Sequence, residues 1–162
     1  MSAEKIQLNT EVESLLTAAE LPTTDLRGAQ NLQLFCVRGE AQLIGVIGVE
    51  VYSPSGLLRS LVVAAAYRNS GYGRALVNDA EVWASQQGVK ALYLLTTTAA
   101  GFFERLGYEV VPRSVAPPAI ATTPQFAELC PSSSTFMLKQ LSANHALNTD
   151  GFGQRERYAK EK

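Results

Sequence analysis

The segment that most limits the possible folds is Leu61-Val62-Val63-Ala64-Ala65-Ala66-Tyr67-Arg68-Asn69-Ser70-Gly71-Tyr72-Gly73-Arg74-Ala75. An apolar run of strand character enters a polar loop that carries two glycines. Beyond the loop Ala75, Leu76, Ala80, Val82 and Trp83 suit a packed helix, with Gly88 as its stop. A helix start leaves N–H groups unpaired and carries a partial positive charge, and glycines let an anion approach the backbone closely. The junction is therefore either an ordinary strand-to-helix turn or a cradle for phosphate or pyrophosphate. A P-loop would end in Gly-Lys-Ser/Thr, whereas Gly73 is followed by Arg74-Ala75. A dinucleotide fingerprint would need a third glycine where Leu76 stands, and would open a parallel sheet.

Upstream, the pattern is antiparallel. Residues 31–38, 42–52 and 57–63 read as three strands joined by turns at Gly39-Glu40 and Ser53-Pro54-Ser55-Gly56, which makes a meander. Strict alternation on the third strand puts Leu57, Arg59, Leu61 and Val63 on one face, and Leu58, Ser60 and Val62 on the other. A first helix precedes the meander, opened by Thr10-Glu11-Val12-Glu13 at capping-box spacing and ended by Pro22. Downstream, residues 89–96 read as a buried strand and 99–106 as a short helix capped by Thr98. A strand at 108–111, a proline-rich loop at 115–118, one or two helical turns at 124–129 and a last strand at 135–141 follow. The expected class is α/β (α+β), a mixed and mostly antiparallel sheet flanked by helices. One domain is expected over residues 1–141, with 142–162 a polar, mobile tail outside the core.

Composition narrows function by exclusion. Hydrophobic residues make up 46% of 162, enough for a globular core. Fourteen Lys and Arg against fifteen Asp and Glu give a net charge of −1, so no basic excess points to nucleic acid. No run approaches the ~20 apolar residues of a membrane span, and a cytoplasmic location is the default expectation. Two cysteines and one histidine nearly exclude a protein zinc site and weaken any Ser-His-Asp or Cys-His nucleophile, so no metal is expected. Cys36 lies in an apolar run and reads as a core residue; Cys130 precedes a proline in a loop; His145 reads as solvated in the tail.

Arg68-Asn69-Ser70-Gly71-Tyr72-Gly73 resembles the Arg/Gln-x-x-Gly-x-Gly/Ala signature of the GNAT superfamily of acyl-CoA-dependent N-acyltransferases. Phe102-Phe103-Glu104-Arg105-Leu106-Gly107-Tyr108 resembles that family's aromatic-x-x-x-Gly-aromatic segment. The resemblance covers roughly residues 5–141 and implies acetyl-CoA as co-substrate. It implies that the backbone of Leu61, Val62 and Val63 pairs with the pantetheine arm. The amides of Asn69, Ser70, Gly71, Tyr72, Gly73 and Arg74 would hold the pyrophosphate, and the strands at 57–63 and 89–96 would splay to admit the cofactor. Phe103 would line the cofactor where many members place a general-acid Tyr. A narrower likeness, in residues 57–63, 93–98 and 120–131, is to the arsenic-resistance N-acetyltransferase-like branch, similar to short glutamate N-acetyltransferases. It implies a small amino acid or amino-acid-like toxin as acceptor.

The acceptor amine must lose a proton, and Glu50, alone among apolar neighbours, is the candidate base or a strand-end carboxylate that reaches solvent. Arg59 interrupts another apolar strand and either grips a substrate carboxylate or pairs with Glu50. Arg113, in the strand leading to the proline loop, is a second clamp or simply exposed. Thr96 and Thr97, near where many members place an Asn, offer hydroxyls to the substrate or serve as strand end and cap. The leading expectation is an N-acetyltransferase acting on a small-molecule amine, with no nucleic-acid or membrane partner and a homodimer as the assembly considered. Peptide or protein N-acetylation and a non-catalytic acyl-CoA-binding module are the alternatives.

Overall fold

The computed structural model describes residues 3–129 and 133–141. The tail at 142–162, His145 and Cys130 lie outside the described residues. The chain runs β1 (Glu4–Ile6), α1 (Thr10–Ala18), β2 (Leu32–Arg38), β3 (Leu43–Tyr52), β4 (Ser55–Val63), α2 (Tyr72–Gln86) and β5 (Ala91–Thr96). Then follow α3 (Ala100–Arg105), β6 (Glu109–Val110), α4 (Pro118–Ala121) and β7 (Thr135–Gln140). The described strands form one sheet in the order β1-β2-β3-β4-β5-β7-β6. The expected meander is β2, β3 and β4, all antiparallel, and β4–β5 is the parallel pair.

Both faces are covered. On one, Leu76, Val77, Ala80 and Ala84 of α2 pack on Phe35, Ile47, Val49, Leu58, Leu92 and Leu94. On the other, Val12 and Leu16 of α1 pack on Leu34, Cys36, Val46 and Val62, while Ile120 of α4 packs on Leu57, Tyr93 and Phe136. Burial first, and then the Glu4 charge, pushes the Cys36 thiol up, so it stays a neutral core group.

Strict alternation along β4 fails at one residue. Val46 pairs with Val62 but Gly48 pairs with Arg59, so Ile47 alone opposes both Ser60 and Leu61. Ser60 absorbs the extra residue at φ +61°. This bulge flips the inside-outside sense of the strand. Leu58, Leu61 and Val63 therefore share the α2 face, whereas Leu57 packs with α4 and Val62 with α1. Arg59 is thereby separated from Leu61 and Val63, with which alternation had grouped it.

Local starts also differ from expectation. Asn9, not Thr10, caps α1: its backbone is extended and its side-chain oxygen accepts from Val12 N at 2.8 Å. Glu13 pairs with Arg27 across 2.9 Å instead of closing a capping box. Thr96 rather than Thr98 caps the turn into α3, accepting from Ala99 N at 3.0 Å. The strand at 108–111 shortens to Glu109–Val110, and Arg113 stands in a 3₁₀ turn, Arg113–Val115, rather than on a strand. Strand β1 has three residues, too few for periodicity to reveal.

Candidate active site

The parallel pairing of β4 with β5 lasts three residues, ending at Leu57 opposite Tyr93. Each strand then follows its other neighbour: β4 stays registered with β3 to Val63, and β5 with β7 to Thr96. The sheet parts between them, and the Ser60 bulge lies in the diverging half of β4. Among the described residues one backbone edge of Leu61, Val62 and Val63 is thus left without a strand partner, Val63 O accepting from Arg68 Nε instead, and a ligand can act as one.

The loop that continues from this edge is built around positive φ. Asn69 stands at +65° and Gly71 at +88°. Gly71 is the N-cap of α2, and no side chain caps the 15-residue helix there. The amides of its first turn lack the side-chain acceptor that Asn9 gives α1. No acidic residue occupies that turn, and Arg68 and Arg74 stand exposed on either side. Arg68 is tied back by Nε to Val63 O at 3.0 Å, and Tyr67 and Tyr72 pack edge to face. A Cβ on Gly71 would point into open space, and one on Gly73 would stop 3.3 Å from Phe102 Cζ. The space above these amides, with a ring for one wall, fits a pyrophosphate. Phe103 itself is buried, packed edge-on between Phe102 and Tyr108. Phe102, which sequence reasoning passed over, is the ring that reaches the loop.

A second constellation lies on the opposite sheet face. A cleft of about 150 Å³ is lined by Asp25, Asn31, Glu50, Tyr52 and Pro124 among others. Glu50 is only 4% exposed. Its Oε1 accepts from the Tyr52 hydroxyl, and its Oε2 accepts from Arg59 Nη1 at 2.7 Å. Arg59 also forks onto Asp25, with Nη2 donating to Oδ1 at 2.8 Å and Nη1 to Oδ2. Nε donates to Ser60 Oγ at 3.2 Å and Nη2 to Pro22 O at 3.4 Å, so all five guanidinium N–H groups have acceptors. Burial alone would lower the Arg59 pKa, but the bonds to Asp25 and Glu50 outweigh it and the net shift is upward. Burial, and then the bond and charge of Glu50, push the Tyr52 phenol well up. Two carboxylates against one guanidinium leave this cleft one negative charge in excess.

The structure thus brings Glu50 and Arg59 together and adds Asp25 and Tyr52. Asp25 sits in an unpatterned polar loop, and only its spatial meeting with Arg59, 34 residues away, marks it. Tyr52 follows Glu50 by two residues and so shares its strand face, a signal that alternation could have supplied. Thr96 spends its hydroxyl on the α3 turn, and Thr97 is exposed. Arg113 is half-buried, donates to Ser134 O at 3.2 Å and lies 5.3 Å over the Phe126 ring. Among the described residues no three His, Cys, Asp or Glu side chains gather as metal ligands, and no helix is long and apolar enough to cross a membrane.

Residues 30–110 match the acetyltransferase (GNAT) domain family. The chain belongs to the GNAT acetyltransferase family. An uncharacterized N-acetyltransferase of Chlorobaculum tepidum is 37% identical over 82 residues, 50% of this chain and 52% of that one. The chain therefore matches about half the length of that relative. An amino-acid acetyltransferase of Pseudomonas fluorescens is 41% identical over 57 residues, 35% of this chain and 13% of that one. Among solved structures, N-acetylglutamate synthase of Neisseria gonorrhoeae, complexed with coenzyme A and N-acetyl-glutamate, superposes with a TM-score of 0.71 at 14% identity. That match covers 88% of this chain and 36% of the synthase. A GNAT acetyltransferase of Staphylococcus aureus superposes at 0.70 and 17% identity, over 87% of this chain and all of that one. The fold is that of the GNAT acetyltransferases, a mixed and mostly antiparallel sheet with β4 and β5 parallel, flanked by helices.

Proposed function

We propose that this protein is an acetyl-CoA-dependent N-acetyltransferase that acts on a small primary amine. The observation that carries the reading is the parting of β4 from β5 beside the uncapped N-terminus of α2. Acetyl-CoA supplies an activated acetyl thioester. The edge at Leu61, Val62 and Val63 pairs with the pantetheine arm. The backbone of Asn69, Ser70, Gly71, Tyr72, Gly73 and Arg74 takes the pyrophosphate, and Phe102, backed by the buried Phe103, forms the wall beside it.

Glu50 accepts the amine proton, directly or through water. It stays in contact with a cleft that a small amine can enter, and its two oxygens are held from either side by Tyr52 and Arg59. No proton is asked of Phe103, because a thiol of pKa ~8.5 departs acceptably as thiolate. The excess negative charge of the cleft favours the ammonium form on entry.

The acceptor class we favour is an amino acid or amino-acid-like compound. Similarity to the Pseudomonas amino-acid acetyltransferase and the fold shared with N-acetylglutamate synthase support it. A glutamate-like acceptor or an arsenic-containing analogue is the sub-class implied by resemblance in residues 57–63, 93–98 and 120–131. Arg59 is committed to Asp25 and Glu50, and the carboxylate clamp we propose is Arg113, which lies outside the cleft lining and would have to trade its bond to Ser134 O for the substrate. Thr96 and Thr97 remain flanking hydroxyls. The test is release of free thiol from acetyl-CoA across a panel of amino acids, diamines and N-terminal peptides. Amine-dependent release supports the reading. Coenzyme A binding without release for any amine would replace it with a non-catalytic binding module.

A further inference from the structure

We propose that Asp25 is a positioning residue that, by occupying the fork of Arg59, keeps the carboxylate of Glu50 available to the acceptor amine. The inference rests on the reading of Glu50 as the proton acceptor.

A carboxylate turns readily about its last torsion, which has no sharp rotamer wells. Two donors on different oxygens, Tyr52 on Oε1 and Arg59 on Oε2, fix the plane of Glu50. An ionised carboxylate has about four lone-pair sites. Each oxygen therefore keeps accepting capacity beyond these two bonds, and Glu50 lines the cleft with it.

The preferred way for a guanidinium to meet a carboxylate is bidentate, with two parallel N–H···O bonds. Left alone with Glu50, Arg59 would take both of its oxygens. Asp25 prevents this. It receives one bond from each terminal nitrogen of Arg59, so Glu50 is left a single bond from Nη1. Pro22 O and Ser60 Oγ take the remaining two N–H groups and hold the fork from behind. Across the sheet Gly48 is the register partner of Arg59, and what its missing side chain spares is Leu34 and Leu32, which a Cβ there would meet at 3.0 and 3.2 Å. Asp25 arrives from the loop between α1 and β2, so docking of that loop and readiness of the base become one event.

The experiment is a double-mutant cycle of Asp25→Asn and Glu50→Gln, read as kcat and as KM for acetyl-CoA and for the amine, with melting temperatures recorded. Asp25→Asn is expected to lower kcat at least about tenfold, short of the ~10²–10⁴ lost with a general base. KM for acetyl-CoA should stay level. In the Glu50→Gln background the same change should have no further effect, because its target is gone. Asp25→Glu, which restores the charge, should recover most of the turnover. Should Asp25→Asn fail to fold, Asp25→Ser takes its place in the cycle. Wild-type kcat in Asp25→Asn, or an equal loss in both backgrounds, would overturn the proposal while leaving Glu50 as base. Near-wild-type turnover in Glu50→Gln alone would instead remove the base reading, and the positioning role with it.

Discussion

The ring of Phe102 ends 3.3 Å from the point where a Cβ on Gly73 would stand, so the helix that opens at the glycine loop and the helix that follows β5 approach each other here. That spacing separates the two glycines by mechanism. Gly71 is needed for its backbone, at φ +88° with open space around it, and Gly73 for its lack of side chain. Gly71→Val should cost about 1–2 kcal/mol for a side chain in the left-handed region, and should block coenzyme A binding. Gly73→Ala should change stability by less than about 1 kcal/mol, since a half-buried ring can give, yet weaken coenzyme A measurably. Titration calorimetry on the folded variants decides. Unchanged affinity in Gly71→Val would remove the pyrophosphate assignment.

Glu50→Gln should lower turnover by about 10²–10⁴ and leave coenzyme A affinity nearly intact. Phe103→Leu should keep measurable turnover, because its ring is packing and not a proton source, although it sits in the core and will lower the melting temperature. Steady-state kinetics beside calorimetric coenzyme A titrations check both. A Phe103→Leu enzyme that is folded, binds coenzyme A and is dead would contradict this division of roles.

The two arginines should behave differently on matched acceptors, each an amino acid and its decarboxylated amine. Arg113→Ala should raise KM for the carboxylate-bearing member about 10–100-fold, the worth of a charge-assisted hydrogen bond, and change the plain amine little. Arg59→Ala should show itself first as lost stability, about 3–5 kcal/mol, because two carboxylates lose their buried cation. If the wild type does not distinguish the members of a pair, or Arg113→Ala leaves its preference unchanged, an anionic group on the acceptor is ruled out.

Tyr108 donates to the fully buried Glu81 at 2.8 Å, and Lys139 reaches the same carboxylate at 3.0 Å. Burial first, and then the charge of Glu81, raise the Tyr108 phenol well above its ordinary value. A phenol whose folded pKa exceeds its unfolded value of about 10 stabilises the fold fully below that value, and the contribution is lost as pH rises beyond it. Stability should therefore begin to fall as pH rises through about 10 and go on falling above it, with Tyr52 acting in the same direction. Tyr108→Phe should be less stable at neutral pH by about 1.5–3 kcal/mol, having lost a hydrogen bond to a charged group, but flatter across the alkaline range. Denaturant midpoints at several pH values test it; parallel curves for the two proteins would refute the assignment.

Period, turn chemistry and one local motif were readable along the chain. Alternating and unbroken apolar runs marked β2, β3, β4, β5 and β7, and the glycine-bearing junction marked the start of α2. These are local matters of backbone freedom and side-chain spacing, decided within a few residues. The Ser60 bulge was not readable, because nothing in Leu57-Leu58-Arg59-Ser60-Leu61 distinguishes a residue opposed one-for-one from one that is extra; only registration against β3 reveals it. Nor could spacing tell whether Arg59 gripped a ligand or a neighbour, since a buried guanidinium needs anions and sequence does not say which come within reach. Folding answered by carrying Asp25 onto Arg59 from a loop 34 residues away, beside Glu50 on the adjoining strand. What the chain determined by itself was the elements and the glycine-bearing loop that opens α2, which depend on short-range sterics. What only tertiary structure decided was which charges meet, because Coulomb partners are chosen by distance in space.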